Sequence, residues 1–229
     1  TRLQQNHKAG STYSYAGFDQ LVAVSSGIIR HFLAPAQEMY SLAITELGAN
    51  EDNITSIKPS IQDEVIKKYS NNYLVGEFEK LKKDIDNNNT RQIQLEKLYR
   101  MIDSLGQLFH LQLTSNSSER RVFSVAITDT PDDEMNEIID MGEQLGYFHK
   151  STIGNKTGTG RNRLIILSRI LAPHFKLDAT SFAGYKFMDS AKLRMAMIDT
   201  KRFLAQFKFT EDDSSSATQL LLFDGNNPI

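Results

Sequence analysis

Apolar positions recur at helical spacing through the first half of the chain, and the pattern changes character near residue 120. Leu21, Val22 and Val24 follow Phe18 and predict a short helix ended by Ser25-Ser26-Gly27. A second helix is predicted from Ile28 to about Leu47, with Pro35 inside it expected to kink or restart it. Gly48 to Ser56 reads as a polar loop. Ser60-Ile61-Gln62-Asp63 then has the form of a helix-capping signal. The helix after it carries Ile61, Val65, Tyr69, Tyr73 or Leu74, Phe78 and Leu81 at three- to five-residue steps. A polar break, Asp84 to Asn89, precedes a longer helix over about 91–113. Leu95, Leu98, Ile102, Leu105 and Phe109 form its single apolar stripe.

The second half mixes periods. Arg121 to Ile127 predicts a short strand. Thr130-Pro131-Asp132-Asp133 predicts a helix start, with a cap, a proline in the first position and acids in the first turn. That helix is expected to reach about Leu145 and stop at Gly146. Two β-rich runs, Tyr147–Ile153 and Arg163–Leu167, flank the glycine-rich tip Gly154 to Gly160. Helix, strand, helix, hairpin is the order of a winged helix with one of its usual three helices reduced or missed. A last helix over about 189–207 is expected to bury Leu193, Met197, Leu204 and Phe207. Glu211 to Ser216 reads as an acidic, serine-rich linker, and Gln219 to Phe223 as a final strand or a docking segment. The fold class expected is mainly α with a small β-hairpin (α+β). The expected division is a loop over 1–16, a helical bundle over 17–89, a winged-helix-like domain over 90–207 and a tail over 208–229.

Composition narrows the function classes. The apolar share is 40% and the charged share 24%, ordinary for a globular chain. No apolar run is long enough to span a membrane, and the lack of cysteine fits an intracellular protein, expected to be cytoplasmic. The absence of cysteine removes disulfides and thiolate metal sites. With a net charge of −2, attraction to nucleic acid has to come from local patches. One such patch is the hairpin: Lys150, Lys156, Arg161 and Arg163 lie within fourteen residues with no acid among them. A basic, glycine-rich wing can follow a phosphate backbone; it can equally be a solvated edge. Arg120-Arg121 extends the patch or simply marks the entry to a strand.

The helix beside the wing has the opposite character. Asp132, Asp133, Glu134, Glu137, Asp140 and Glu143 give it six acids and no Lys or Arg. Pressed into a DNA groove it would face phosphates at a cost of several kcal/mol. It is expected to face solvent, a basic partner protein or other domains. Catalytic signatures are missing. The histidines are scattered, and neither a nucleophile elbow nor a G-x-x-x-x-G-K-[ST] phosphate loop occurs.

Tyr15-Ala16-Gly17-Phe18, followed by Ser25-Ser26-Gly27-Ile28-Ile29-Arg30-His31-Phe32-Leu33, resembles the lid of an AAA+ ATPase of the origin-recognition type. In that family a small helical lid follows the nucleotide-binding domain, and a winged helix follows the lid. The resemblance implies that Arg30, three residues after Gly27, is the second sensor arginine directed at the terminal phosphate of the nucleotide. A guanidinium suits that role because it is always charged and its fork matches phosphate oxygens. Leu171 to Asp178, with Phe182-Ala183-Gly184-Tyr185 beyond it, resembles a segment after the wing in bacterial members, a group that also occurs in multi-protein antiviral defence systems. The Asn-Pro usual before the arginine is replaced here by Ile28-Ile29.

The resemblance implies ATP and Mg in a parent protein, with no cofactor held by this chain alone. The opening Thr1-Arg2-Leu3, without Met, fits a fragment lacking an upstream ATPase domain. Expected partners are that domain, DNA backbone through the wing, a protein through the acidic helix 132–145, and a second copy. Two alternatives stand beside this reading: a protein-interaction adaptor, and a free-standing winged-helix regulator.

Overall fold

The computed structural model describes residues 14–47, 54–84, 89–114, 122–154, 160–180 and 184–207. The chain divides into two units, residues 1–81 with 168–181, and residues 82–167 with 182–229. Among the described residues the class is mainly α with a small mixed sheet, as the periodicity predicts.

The first unit is built on α1 (Phe18–Ser25), α2 (Ile29–Leu47) and α3 (Pro59–Asn71). Pro35 does not break α2, which runs through it as one helix. The capping signal proves displaced. Pro59, not a residue after Ser60, opens α3, and Lys58 in the cap position makes no side-chain capping bond. Proline supplies the first-turn φ and has no N–H to leave unpaired. Gln62 Nε2 instead donates to the Ile57 carbonyl at 2.6 Å.

A π-turn, Asn72–Gly76, follows α3 and leads into α4 (Glu77–Asp84). It accounts for the five-residue step from Tyr73 to Phe78. One inserted residue rotates the helix and returns Phe78 to the core beside Leu74.

Residues 168–181 complete this unit with a 3₁₀ turn, Arg169–Leu171, whose Ile170 and Leu171 are wholly buried. Tyr15 locks that segment in place. Its hydroxyl donates to the carbonyls of Ala172 and Leu177 at 3.1 and 2.8 Å, and its N–H donates to Asp63 Oδ1 at 2.8 Å.

The second unit centres on α5 (Asn89–Thr114). The predicted stripe Leu95, Leu98, Ile102, Leu105 and Phe109 is buried. So are Met101, Leu108 and Leu111, because α6 (Asp133–Gln144), α7 (Ser190–Ile198) and α8 (Thr200–Leu204) all pack on this one helix or its surroundings. The sheet order is β2-β3-β1-β4, from β1 (Val122–Ile127), β2 (Phe148–Gly154), β3 (Arg161–Leu167) and β4 (Gly184–Met188).

β2 and β3 form the predicted hairpin, and β3 pairs antiparallel with β1. β4, unforeseen in the sequence, lies parallel to β1 with Val125 opposite Lys186. It carries no clean alternation, since all but Met188 are half-exposed. The last helix also differs from expectation. Asp199 breaks it with extended backbone (φ −148°, ψ 101°), and its carboxylate caps the new start by accepting the Arg202 N–H at 3.0 Å. The predicted start near Thr130 shifts similarly: Asp132 is the cap of α6, accepting from the Met135 N–H at 3.0 Å.

Candidate functional site

The turn before Arg30 is built from two consecutive left-handed residues. Ser26 has φ 53° and Gly27 φ 77°. A Cβ on Gly27 would meet nothing within 4 Å, so glycine is there for its backbone freedom and not for space. Ser26 Oγ accepts the Arg169 N–H at 2.9 Å, and the Ile28 N–H closes the turn on the Ser25 carbonyl at 2.9 Å. The chain then enters α2, with Arg30 as its second residue and exposed. Helix amides in this first turn have no intrahelical acceptors, and a cation among them adds to a site that attracts anions.

Its neighbour His31 turns the other way and is 1% exposed. The ring meets Tyr73 edge-on at 4.7 Å and Tyr69 at 5.9 Å, and Nδ1 lies 3.1 Å from the Tyr69 hydroxyl. Burial pushes the Tyr73 phenol up to about 12, and the positive charge of Arg30 opposes that shift. Burial likewise raises Tyr69, again against Arg30. The guanidinium and both phenols therefore share one electrostatic neighbourhood. Sequence reading passed over His31 as one of several scattered histidines. The available signal was the Tyr69–Tyr73 pair one helical turn apart.

In the second unit the basic residues of the β2–β3 hairpin separate into groups. Lys150, on β2, pairs with Asp140 at 2.9 Å and Glu143 at 2.5 Å on α6. Hydrogen bonds to Glu143, then Asp140, raise its pKa. Arg163, on β3, is half-buried and donates to Asn136 of α6. Arg161 is exposed at the strand start, 3.4 Å from Thr152 Oγ1. Lys156 and Arg120-Arg121 lie outside the described residues.

The acidic helix is met by the unit's own cations. Lys97 of α5 and Arg194 of α7 both bond Glu134, and Arg194 also bonds Asp132. Hydrogen bonds from Lys97, then Arg194, hold the Glu134 carboxyl below its usual range. Gln94 donates to Glu137 at 2.6 Å. These partners lie 37 to 62 positions away in sequence, beyond the reach of any local pattern.

Among the described residues no group of three His, Asp or Glu could hold a metal ion, and no helix is long and apolar enough to cross a membrane. Arg30 fits a phosphate oxygen, but the 229 residues include no phosphate loop to go with it. The ORC-CDC6-like family profile matches residues 2–187. The chain belongs to the ORC-CDC6-like family. It is a relative of the origin-recognition AAA+ ATPases. No curated protein and no solved structure matches it. The ORC-CDC6-like match takes in the Arg30 turn, α6 and the β2–β3 hairpin, and stops before α7.

Proposed function

We propose that this chain is a non-catalytic, carboxy-terminal part of an AAA+ ATPase, in which the first unit is the lid and the second a winged-helix-like module. The lid couples nucleotide state to engagement of DNA backbone by the wing. The observation that carries the reading is Arg30: exposed, on the first turn of α2, three residues after the left-handed Ser26-Gly27 pair, inside the family match. ATP, with its Mg, would be held by a separate nucleotide-binding domain, and it supplies the phosphate that Arg30 reads. This chain would provide the guanidinium, the turn that presents it and the module that responds.

On the DNA side, Arg161 and Lys156 are the residues we assign to phosphate contact. Lys150 and Arg163 spend their donors on α6 and hold the wing to it. Three cations of its own unit, Lys97, Lys150 and Arg194, pair with four of the six acids of the α6 run, and the negative charge that remains disfavours a DNA groove. The test is ATP turnover and ATP-dependent assembly of the intact natural polypeptide carrying Arg30→Ala. Impairment of either supports the sensor role; normal behaviour in both removes it.

A second reading, a protein-interaction module, is favoured by one observation. Phe18, Val22, Ile29 and Leu33 present large apolar surface on α1 and α2, Phe18 being 70% and Ile29 74% exposed. A salt-insensitive protein complex without DNA retention would select it.

A further inference from the structure

Arg30 is an exposed side chain on a helix start whose backbone is held by two main-chain bonds, Ile28 N–H to the Ser25 carbonyl and His31 N–H to the Ile28 carbonyl, each at 2.9 Å. The first amides of a helix lack i−4 partners, and Ser26 and Gly27, one residue ahead of α2, form a left-handed turn open to solvent at Gly27. Neighbouring helix positions point about 100° apart around the axis. Whatever fixes the direction of residue 31 therefore fixes that of residue 30.

His31 is so fixed. Its ring is enclosed, edge-on to Tyr73 at 4.7 Å and hydrogen-bonded to Tyr69 at 3.1 Å. The π-turn at Asn72–Gly76 starts immediately before Tyr73 and supports the ring that meets it. Such insertions are uncommon and concentrate at functional sites.

We infer that His31, bonded to Tyr69 and packed on Tyr73, is a positioning residue that sets the rotation of the first turn of α2 and thereby aims Arg30. The inference rests on the sensor reading of Arg30 given above. The Tyr69 hydroxyl is the polar contact that selects one ring orientation. The Tyr73 face supplies the packing that excludes others.

The test uses the intact natural polypeptide and a double-mutant cycle on ATP turnover. Variants are Arg30→Ala, Tyr69→Phe, His31→Leu and the pair Arg30→Ala with Tyr69→Phe. His31→Gln serves as a rescue, because its amide can still bond Tyr69. Thermal unfolding of each variant accompanies the assay. Tyr69→Phe keeps the ring and loses one hydrogen bond, so turnover is expected to fall about 3- to 10-fold, and His31→Gln is expected to recover most of what His31→Leu loses. In the Arg30→Ala background Tyr69→Phe is expected to have no further effect, a non-additivity that a general loss of stability would not produce. If Arg30→Ala lowers turnover but Tyr69→Phe leaves it unchanged, or if the two losses simply multiply, the positioning role is overturned while the sensor reading stands. If Arg30→Ala itself changes nothing, the sensor reading falls and the positioning role goes with it. Should His31→Leu fail to fold, the Tyr69→Phe arm still decides the question.

Discussion

The Tyr15 hydroxyl donates to the Leu177 carbonyl at 2.8 Å, joining positions 162 residues apart in sequence. It also reaches Ala172 at 3.1 Å, and the phenol is 1% exposed. The segment 168–181 thus enters the core of the first unit as a structural part of it. Tyr15→Phe removes the donor and keeps the ring, leaving the buried Leu177 carbonyl short of a partner. The expected loss is about 1–3 kcal/mol, read as a lower midpoint in urea denaturation with an unchanged slope. A neutral result would mean that the ring alone anchors the segment.

Gly142 on α6 is tightly enclosed. A Cβ there would come within 2.4 Å of Phe148 Cδ2 and 2.9 Å of Leu98 Cδ1. Phe148 is 1% exposed and Leu98 fully buried, so neither ring nor methyl has room to retreat. Gly142→Ala, which would ordinarily favour a helix, is expected to destabilise by about 1–3 kcal/mol through overpacking. Calorimetry of the variant checks the sign; a rise in melting temperature would show that α6 can shift outward.

How much of this was readable beforehand depends on the range of the interactions concerned. Local features survive well. The α1 stop at Ser26-Gly27 and the stripe on α5 are written within a few residues of where they act. The β2–β3 hairpin is bracketed by its own glycines. Misses cluster where two local signals compete or where the partner is distant. Asp199 and Asp132 each act as caps in place of a continuing or earlier helix. β4 has no alternation of its own and exists because β1 offers it an edge. The pairing of the acidic run on α6 with Lys97 and Arg194 is invisible to a local window. His31 was equally hidden, its meaning resting on Tyr69 and Tyr73 some forty positions on.

The Glu134 cluster gives the second unit a pH dependence with a defined sign. Bonds from Lys97 and Arg194 depress the folded-state pKa of Glu134 below its ordinary value of 4.5. The unfolded chain therefore takes up the proton first. The cluster's contribution is present above 4.5 and is lost as pH falls through the lower folded-state value. Glu134→Gln should flatten this part of the acid limb while leaving the neutral plateau lower. A stability profile from pH 2 to 7, compared between the two proteins, checks it; superimposable acid limbs would show that the pair is screened to insignificance.

On the β2–β3 hairpin, different cations should fail differently. Arg161 is exposed, so Arg161→Glu is expected to weaken retention on DNA and reduce the salt slope by about one unit, with little effect on stability. Lys150→Glu places a third acid against Asp140 and Glu143 and should lower stability. Parallel filter-binding and melting curves separate the two effects. Equal DNA loss in both, without a stability change in Lys150→Glu, would show that Lys150 leaves α6 to reach phosphate.

Gly27 isolates backbone from packing. Its φ of 77° lies in the left-handed region, while the space where a side chain would go is empty. Gly27→Ala should therefore cost about 1–2 kcal/mol from conformational strain alone. Gly27→Asn should cost less, because asparagine tolerates the left-handed region. If the strain is instead relieved by unwinding the turn, Arg30 is displaced along with it. The alanine variant would then lose more ATP turnover in the intact polypeptide than its stability predicts, and the asparagine variant would not. Comparing turnover with denaturation midpoint for both variants decides between a turn that merely ends α1 and one that also carries the arginine.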